Sequence, residues 1–354
     1  MHLAPDIAKR ISILRTVLIL FVVLLHIGTP NVKALDGNDL LQLARFFFQD
    51  ELGRLAVPTL TMVSGYLLFA SGLDLAPLKL YAKKIRTLLV PFFFFNIVYF
   101  AVQYGIEYTT GWAPLYLLVS KPDHQILNYL FNYDGIPLNG ALHFLRDLFV
   151  LVLLAPLFGY FMRRMPTLGL ILVIAVFMND LDGHLVNCNT MAVLFYIGGM
   201  AATGRWDVRR LDRFAVPALA LLAAVCIGTI YFRVDDYVYI YLTAPLAVWP
   251  ASSLLLGTRF GDWAANYSKY SFLLFLTHTP LIRLAENLCA HYGASVLDIG
   301  YAAPTFLVLV GITPLAYAVA MRAMPRTFCV LVGGRARKPE APAGVEPVGA
   351  VPAR

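Results

Sequence analysis

Two ionisable residues stand in an otherwise apolar run near the start of the sequence, RTVLILFVVLLH. Arg15 and His26 are eleven residues apart. On a helix advancing about 100° per residue, that spacing is three full turns plus about 20°, so both side chains share one face, with a rise of about 16 Å between them. The face then offers a permanent cation and, three turns on, a group that exchanges a proton near neutral pH. The same spacing also fits a snorkelling arginine and a histidine that caps a neighbouring helix.

Four further segments place polar groups where apolar ones dominate. In YAKKIRTLLVPF, Lys83, Lys84 and Arg86 fall within one turn, and Lys83 and Arg86, three apart, share a face. Such a cluster suits an anionic ligand such as a nucleotide phosphate, or serves as an ordinary basic anchor at a membrane surface. In GALHFLRDLFVLVL, His143, Arg146 and Asp147 enter an apolar helix. Arg146 and Asp147 are adjacent and so are expected to point apart, each to a partner elsewhere, either in a structural ion pair or at the site. In YSKYSFLLFLTHTPLIRL, Ser271, Thr277, His278 and Arg283 stand in an apolar helix, and His278 is either a satisfied core histidine or a direct catalytic group. In GRLAVPTLTMVSGYLL, Pro58 and Gly65 imply a kinked, closely packed helix beside a cavity, with Ser64 a candidate lining residue. Walker A, dinucleotide-binding, HExxH and GxSxG patterns are absent, and the four cysteines have no zinc-ligand spacing, so no metal centre is expected.

The elements that must carry these residues follow from composition. Of the 354 residues, 59% are hydrophobic and only 14% charged, against roughly 25% in an ordinary soluble domain. Mean hydropathy is +0.70. One soluble core cannot hide so much apolar surface, which excludes a soluble enzyme, a disordered chain and a nucleic-acid-binding domain and leaves a multi-spanning membrane protein. Ten apolar stretches can be drawn, at about 11–29, 54–71, 87–105, 141–162, 167–179, 190–204, 214–232, 238–257, 270–289 and 302–322. The fifth and sixth are short. With the N-terminus in the cytoplasm, 20 of the 28 Lys and Arg fall on inside segments, six fall outside and two lie within spans. Every inside segment carries at least two, as the positive-inside rule expects. The net charge of +7 is thereby a topology signal and gives no support for nucleic acid. The expected fold is all-α: a polytopic bundle of about ten transmembrane helices over 1–330, both termini cytoplasmic, with 331–354 a disordered Pro/Ala/Gly-rich tail. The N-terminal stretch reads as a retained first span. The segments 30–53 and 106–140 read as long outside loops, with Asp50, Glu51, Trp112, Asp123 and Asp134.

Taken in order, these segments resemble the acyltransferase-3 membrane proteins, which O-acylate bacterial surface glycans. The resemblance covers most of residues 10–290. Arg15 and His26 match that family's basic-x10-His motif, and Lys83 and Arg86 its RxxR motif with Lys for the first Arg. RLAVPTLTMVSGYLL is similar to its VP-aromatic-x-x-SGY span, and YSFLLFLTHTPLI to its YSF-x-x-Y-x-x-H-P helix. ALHFLRDLFVLVL is similar to its HLWFL segment, with His143 in place of Trp and Ala141 in place of His. The resemblance implies an integral-membrane O-acyltransferase of the bacterial inner membrane. Acyl-CoA would be the co-substrate, with no bound cofactor. Acetyl-CoA is the expected donor and succinyl the other acyl group. The acceptor would be an exopolysaccharide, cell-wall or lipid-linked glycan. His26 would be the base; Arg15, Lys83 and Arg86 would bind the donor; Ser64, His143, Arg146, Asp147 and His278 would line the site. Membrane lipid and a polysaccharide synthase complex are the other expected partners. The competing classes are a glycan or small-anion transporter and a non-catalytic subunit of a polysaccharide synthase. Only the enzyme consumes a thioester.

Overall fold

The computed structural model describes residues 4–28, 32–35, 37, 39–111, 118–131, 137–183, 185–291 and 299–334. Within them the chain forms fourteen α-helices and no strand. They are α1 (Pro5–His26), α2 (Leu40–Phe46), α3 (Ala56–Ala70), α4 (Pro77–Lys84), α5 (Val90–Thr110), α6 (Asp123–Phe131) and α7 (His143–Arg164), then α8 (Pro166–Phe177), α9 (Asn189–Thr203), α10 (Ala215–Tyr231), α11 (Val238–Ala251), α12 (Arg259–His291), α13 (Ile299–Ala323) and α14 (Pro325–Leu331). Each of the ten apolar stretches lies on a helix. Six continuous helical runs are long and apolar enough to cross a membrane: Leu40–Ala70, Pro77–Thr110, Gly140–Arg164, Val208–Tyr231, Val238–Leu255 and Gly300–Ala323. The protein is an all-α polytopic membrane bundle. Its outward faces agree: Val216, Leu221 and Ile227 on α10 and Leu307, Val308 and Leu315 on α13 are exposed. Their cost would be large in water and vanishes in hydrocarbon.

The segment expected as a loop over 30–53 is helical from Leu40 onward. A π-helical turn (Phe47–Glu51) and a 3-10 turn (Gly53–Leu55) join α2 to α3. Asp50 and Glu51 are buried there rather than exposed on a loop, because each finds a partner: Asp50 takes Arg54, and Glu51 accepts a 3.0 Å hydrogen bond from Thr229. The irregular turns sit just ahead of Pro58. Its missing N–H falls in the first turn of α3, where no intrahelical bond is lost, so α3 itself runs on without a break. Of the second expected loop, α5 claims residues up to Thr110 and Asp123 opens α6, while Trp112 and Asp134 lie outside the described residues. Of the tail expected at 331–354, residues 331–334 end α14 in a turn and 335–354 lie outside the described residues.

The close packing expected at Gly65 is present. A Cβ on Gly65 would lie 2.2 Å from the Phe195 carbonyl oxygen, and one on Gly198 would lie 2.0 Å from that of Met62. Small residues thus let α3 and α9 meet backbone to backbone. Helix α1 packs along α12, where the Thr16 hydroxyl donates to the Ala264 carbonyl at 2.6 Å. Arg10, which the sequence places among the 20 basic residues of the inside segments, is instead fully buried. It binds both oxygens of Asp212 (2.8 and 3.0 Å), Ser252 Oγ (2.9 Å) and the Trp249 carbonyl (2.7 Å), which fixes the N-terminal part of α1 against the turns flanking α10 and α11.

Candidate active site

Arg15 and His26 lie on the one unbroken helix α1, so the face expected from their spacing is real. His26 is its last residue, where carbonyls lose their intrahelical donors. Side chains from α2 and the π turn supply replacements. Gln49 donates to the Ile27 carbonyl at 3.0 Å, and Arg45 donates to the Gly28 carbonyl at 2.9 Å and to Gln49 Oε1 at 2.5 Å. Gln49 is buried. This cap fixes the direction of the helix end that carries His26. Gln49→Leu is therefore expected to lower turnover about ten- to a hundredfold, as small misplacements of a catalytic group do. Its apparent affinity for the donor should stay unchanged. Steady-state kinetics on variant protein with a normal thermal transition checks this split.

The imidazole of His26 has one defined tautomer. Nδ1 lies 2.8 Å from the Val22 carbonyl oxygen, which can only accept, so the proton sits on Nδ1 and Nε2 keeps its lone pair. The ring packs edge-on against His278, with centroids 5.0 Å apart. His278 is fully buried and satisfied. Its Nδ1 donates to the Phe275 carbonyl at 2.8 Å, and its Nε2 accepts from Thr279 Oγ1 at 3.2 Å. It is a core histidine that braces His26.

Three cavities hold the other candidate residues. The inner one, about 640 Å3, is lined by Arg15, Ser64, Lys269 and Ser271 among polar residues and by Phe144, Leu148, Phe272 and Phe275 among apolar ones. No carboxylate lines it. Arg15 projects into it and has no hydrogen bond or ion pair among the described residues; Lys269 has only a cation–π contact, 4.8 Å from the Tyr270 ring centroid. Two uncompensated cations within a helical bundle call for an anionic ligand. Phe275 links this cavity to the histidines: its ring meets both Phe144 and His278, each at 6.0 Å between centroids.

The second cavity, about 1100 Å3, lies where α4 and the following π turn (Ile85–Leu89) face α14. Lys79, Lys83, Arg86 and Arg326 line it, again with no carboxylate among the described residues. Lys83 and Arg86 therefore do share a site, and neither has a partner among the described residues. Arg15 is not brought together with them. The π turn separates the two groups, with Thr87 on the wall of one cavity and Leu88 on that of the other.

The third and outermost cavity, about 420 Å3, is lined by His143 from α7, the segment Asn187–Thr190, Asp236, Val238 and Tyr241. Arg146 and Asp147 depart from expectation: although adjacent, they bind each other, Nη1 to Oδ1 at 2.9 Å. The Arg146 side chain reaches around the first turn of α7 to do so. Arg146 also donates to the Leu185 carbonyl, and Asp147 Oδ2 accepts from the Cys188 N–H at 2.9 Å. The pair staples the segment before α9 to α7 and lines none of the three cavities.

Lys269, Arg326 and Gln49 were not singled out by sequence reasoning. Lys269 and Arg326 were read as membrane-surface charge. Their signal would have been a cation with no acidic residue within helical reach, and it becomes legible only once the cavity walls are known.

A helical membrane bundle that holds a bare imidazole nitrogen at the end of one helix, with cationic cavities along and below it, is equipped for group transfer from an anionic donor. The residues 9–321 match the model of the acyltransferase-3 family, described as an acyltransferase domain, and the chain belongs to that family. It is a multi-pass membrane acyltransferase. It is similar to the succinoglycan biosynthesis protein ExoH of Rhizobium meliloti (strain 1021), 30% identical over 345 residues that cover 93% of each chain. No solved structure matches it.

Proposed function

We propose that this protein moves an acyl group from acyl-CoA to a hydroxyl of a polysaccharide or of its lipid-linked precursor at the bacterial inner membrane. The observation that carries the reading is the bare Nε2 of His26, on the same helical face as the unpartnered Arg15. His26 Nε2 takes the proton from the acceptor hydroxyl as its oxygen attacks the thioester carbonyl. The C–S bond breaks, an ester forms, and the proton passes to the departing thiolate, leaving free CoA and neutral imidazole. Arg15 and Lys269 hold the acyl-bearing end of the donor, while Lys79, Lys83, Arg86 and Arg326 hold its phosphates, which a long flexible donor can reach from the inner cavity.

The acyl group is acetyl or succinyl. A second unpaired cation in the inner cavity favours succinyl, whose free carboxylate needs a counter-charge that acetyl does not. The similarity to a succinoglycan biosynthesis protein supports a polysaccharide acceptor. The test is purified protein in lipid nanodiscs, given acetyl-CoA or succinyl-CoA with isolated membranes that contain the glycan. Thiol release that depends on the glycan is the expected result, faster with succinyl-CoA. Movement of glycan or anion across the membrane with no thiol release would establish a transporter instead.

A further inference from the structure

The outer cavity contrasts with the other two in its charge. Among the described residues, those are lined by Lys and Arg with no carboxylate, and the outer cavity has one carboxylate, Asp236, and no Lys or Arg in its wall. The guanidinium groups near it are already occupied. Arg54 is held by both oxygens of Asp50 at 2.8 and 2.9 Å and lies over the Tyr237 ring, and Arg146 is held by Asp147. The wall is rich in hydrogen-bonding groups of both kinds. His143 has the same tautomer as His26: Nδ1 donates to the Gly140 carbonyl at 2.8 Å, which leaves Nε2 as an acceptor without a partner among the described residues. Asp236 spends one oxygen on the Val238 N–H at 2.9 Å and keeps the other. Asn187, Asn189 and Thr190 add amide and hydroxyl groups, and Tyr241 adds an aromatic face.

We infer that this cavity is the acceptor subsite and that it takes an uncharged sugar. Hydroxyl groups of the sugar donate to His143 Nε2 and to the free oxygen of Asp236, and the ring lies on Tyr241. An acidic sugar is disfavoured, because its carboxylate would meet Asp236 with no Lys or Arg among the described residues of the wall to offset the repulsion. The inference rests on the acyl-transfer reading above. It explains the division of the molecule: anionic donor in the cationic cavities and neutral polyol in the outer cavity.

The test uses the full chain in nanodiscs, with cellobiose as the neutral probe and cellobiouronic acid as its acidic counterpart. Acyl-CoA consumption stimulated by each sugar is measured. Wild-type protein is expected to be stimulated by cellobiose and much less by the acid. Asp236→Ala should raise the KM for cellobiose about tenfold, the usual cost of one hydrogen bond to a charged group, and leave the dissociation constant of CoA unchanged. Asp236→Asn can still accept from the Val238 N–H. It controls for loss of that helix cap and should fall between the two. Asp236→Lys should invert the preference toward the acid. His143→Gln should raise the cellobiose KM without changing CoA binding. A wild type that prefers the acid overturns the inference, as does a cellobiose KM unmoved in every variant. Stimulation by native glycan but by neither disaccharide also overturns it, and leaves the acyl-transfer reading standing. Absence of acyl-CoA consumption under all conditions instead overturns the acyl-transfer reading itself.

Discussion

Removing the imidazole of His26 is expected to lower glycan acylation by about 10²- to 10⁴-fold, the range that a positioned general base supplies. The His26→Ala variant should bind CoA as the native protein does, because neither cationic cavity is lined by His26. The size of the effect follows from the absence of a substitute. His278 is its ring neighbour, but both of its nitrogens are committed, Nδ1 to the Phe275 carbonyl and Nε2 to the Thr279 hydroxyl. His143 has a free Nε2, but it lies on the wall of the outer cavity at the start of α7, a different helix end. The measurement is the rate of glycan acylation in membranes with equal amounts of native and variant protein. Near-normal acylation by a well-expressed His26→Ala would end the assignment of this residue as base. His278→Asn should act differently, through the bracing contact at 5.0 Å, and cost less than loss of His26 itself.

The second large effect is expected on the donor. Arg15→Ala should weaken acyl-CoA binding by about tenfold or more, since a charge-assisted contact in a poorly hydrated cavity exceeds an ordinary hydrogen bond. Arg15 has no partner to lose among the described residues, so its removal should not unfold the bundle; it relieves an uncompensated cation instead. Arg15→Lys should recover only part of the binding, because the ammonium cannot reproduce the two-pronged geometry of the guanidinium. Lys269→Ala is expected to discriminate between donors. If its ammonium pairs with the free carboxylate of the acyl group, the loss falls on succinyl-CoA and spares acetyl-CoA. Equal losses for both would place Lys269 on the phosphate end, and an unchanged affinity in both variants would make the inner cavity structural. Isothermal titration of nanodisc-embedded protein with non-hydrolysable analogues of the two donors reads these outcomes directly.

Much of the candidate site was legible in the sequence because helical spacing is a local property. Arg15 and His26 must share a face if the segment is one helix, and Lys83 and Arg86 must if theirs is. The order of several short motifs then pointed to the family that the whole-chain match establishes. What was misread had partners far away in sequence. Glu51 looked like a loop carboxylate because Thr229, its hydrogen-bond donor, is 178 residues away. Arg10 looked like a surface anchor because Asp212 and Ser252, which bury it, lie more than two hundred residues on. Arg146 and Asp147 were expected to point apart because backbone geometry separates their Cβ atoms. A long guanidinium can still curl to its neighbour once the Leu185 carbonyl gives it a second anchor.

By itself, the sequence determined that this is a helical membrane protein. Its apolar surplus has no other solvent to face, and a backbone in lipid has to close its hydrogen bonds within each segment. It also placed Arg15, His26, Arg146 and His278 in that apolar environment, though not Arg10 or Lys269. Only the tertiary structure decided what those residues do together. It assigned Arg15 and Lys269 to one cavity, and Lys83, Arg86 and Arg326 to another. It also gave His26 a bare nitrogen and His278 none. The physical reason is that a charge's partners, or its lack of them, depend on every helix packed around it, whereas its position along a helix depends on that helix alone.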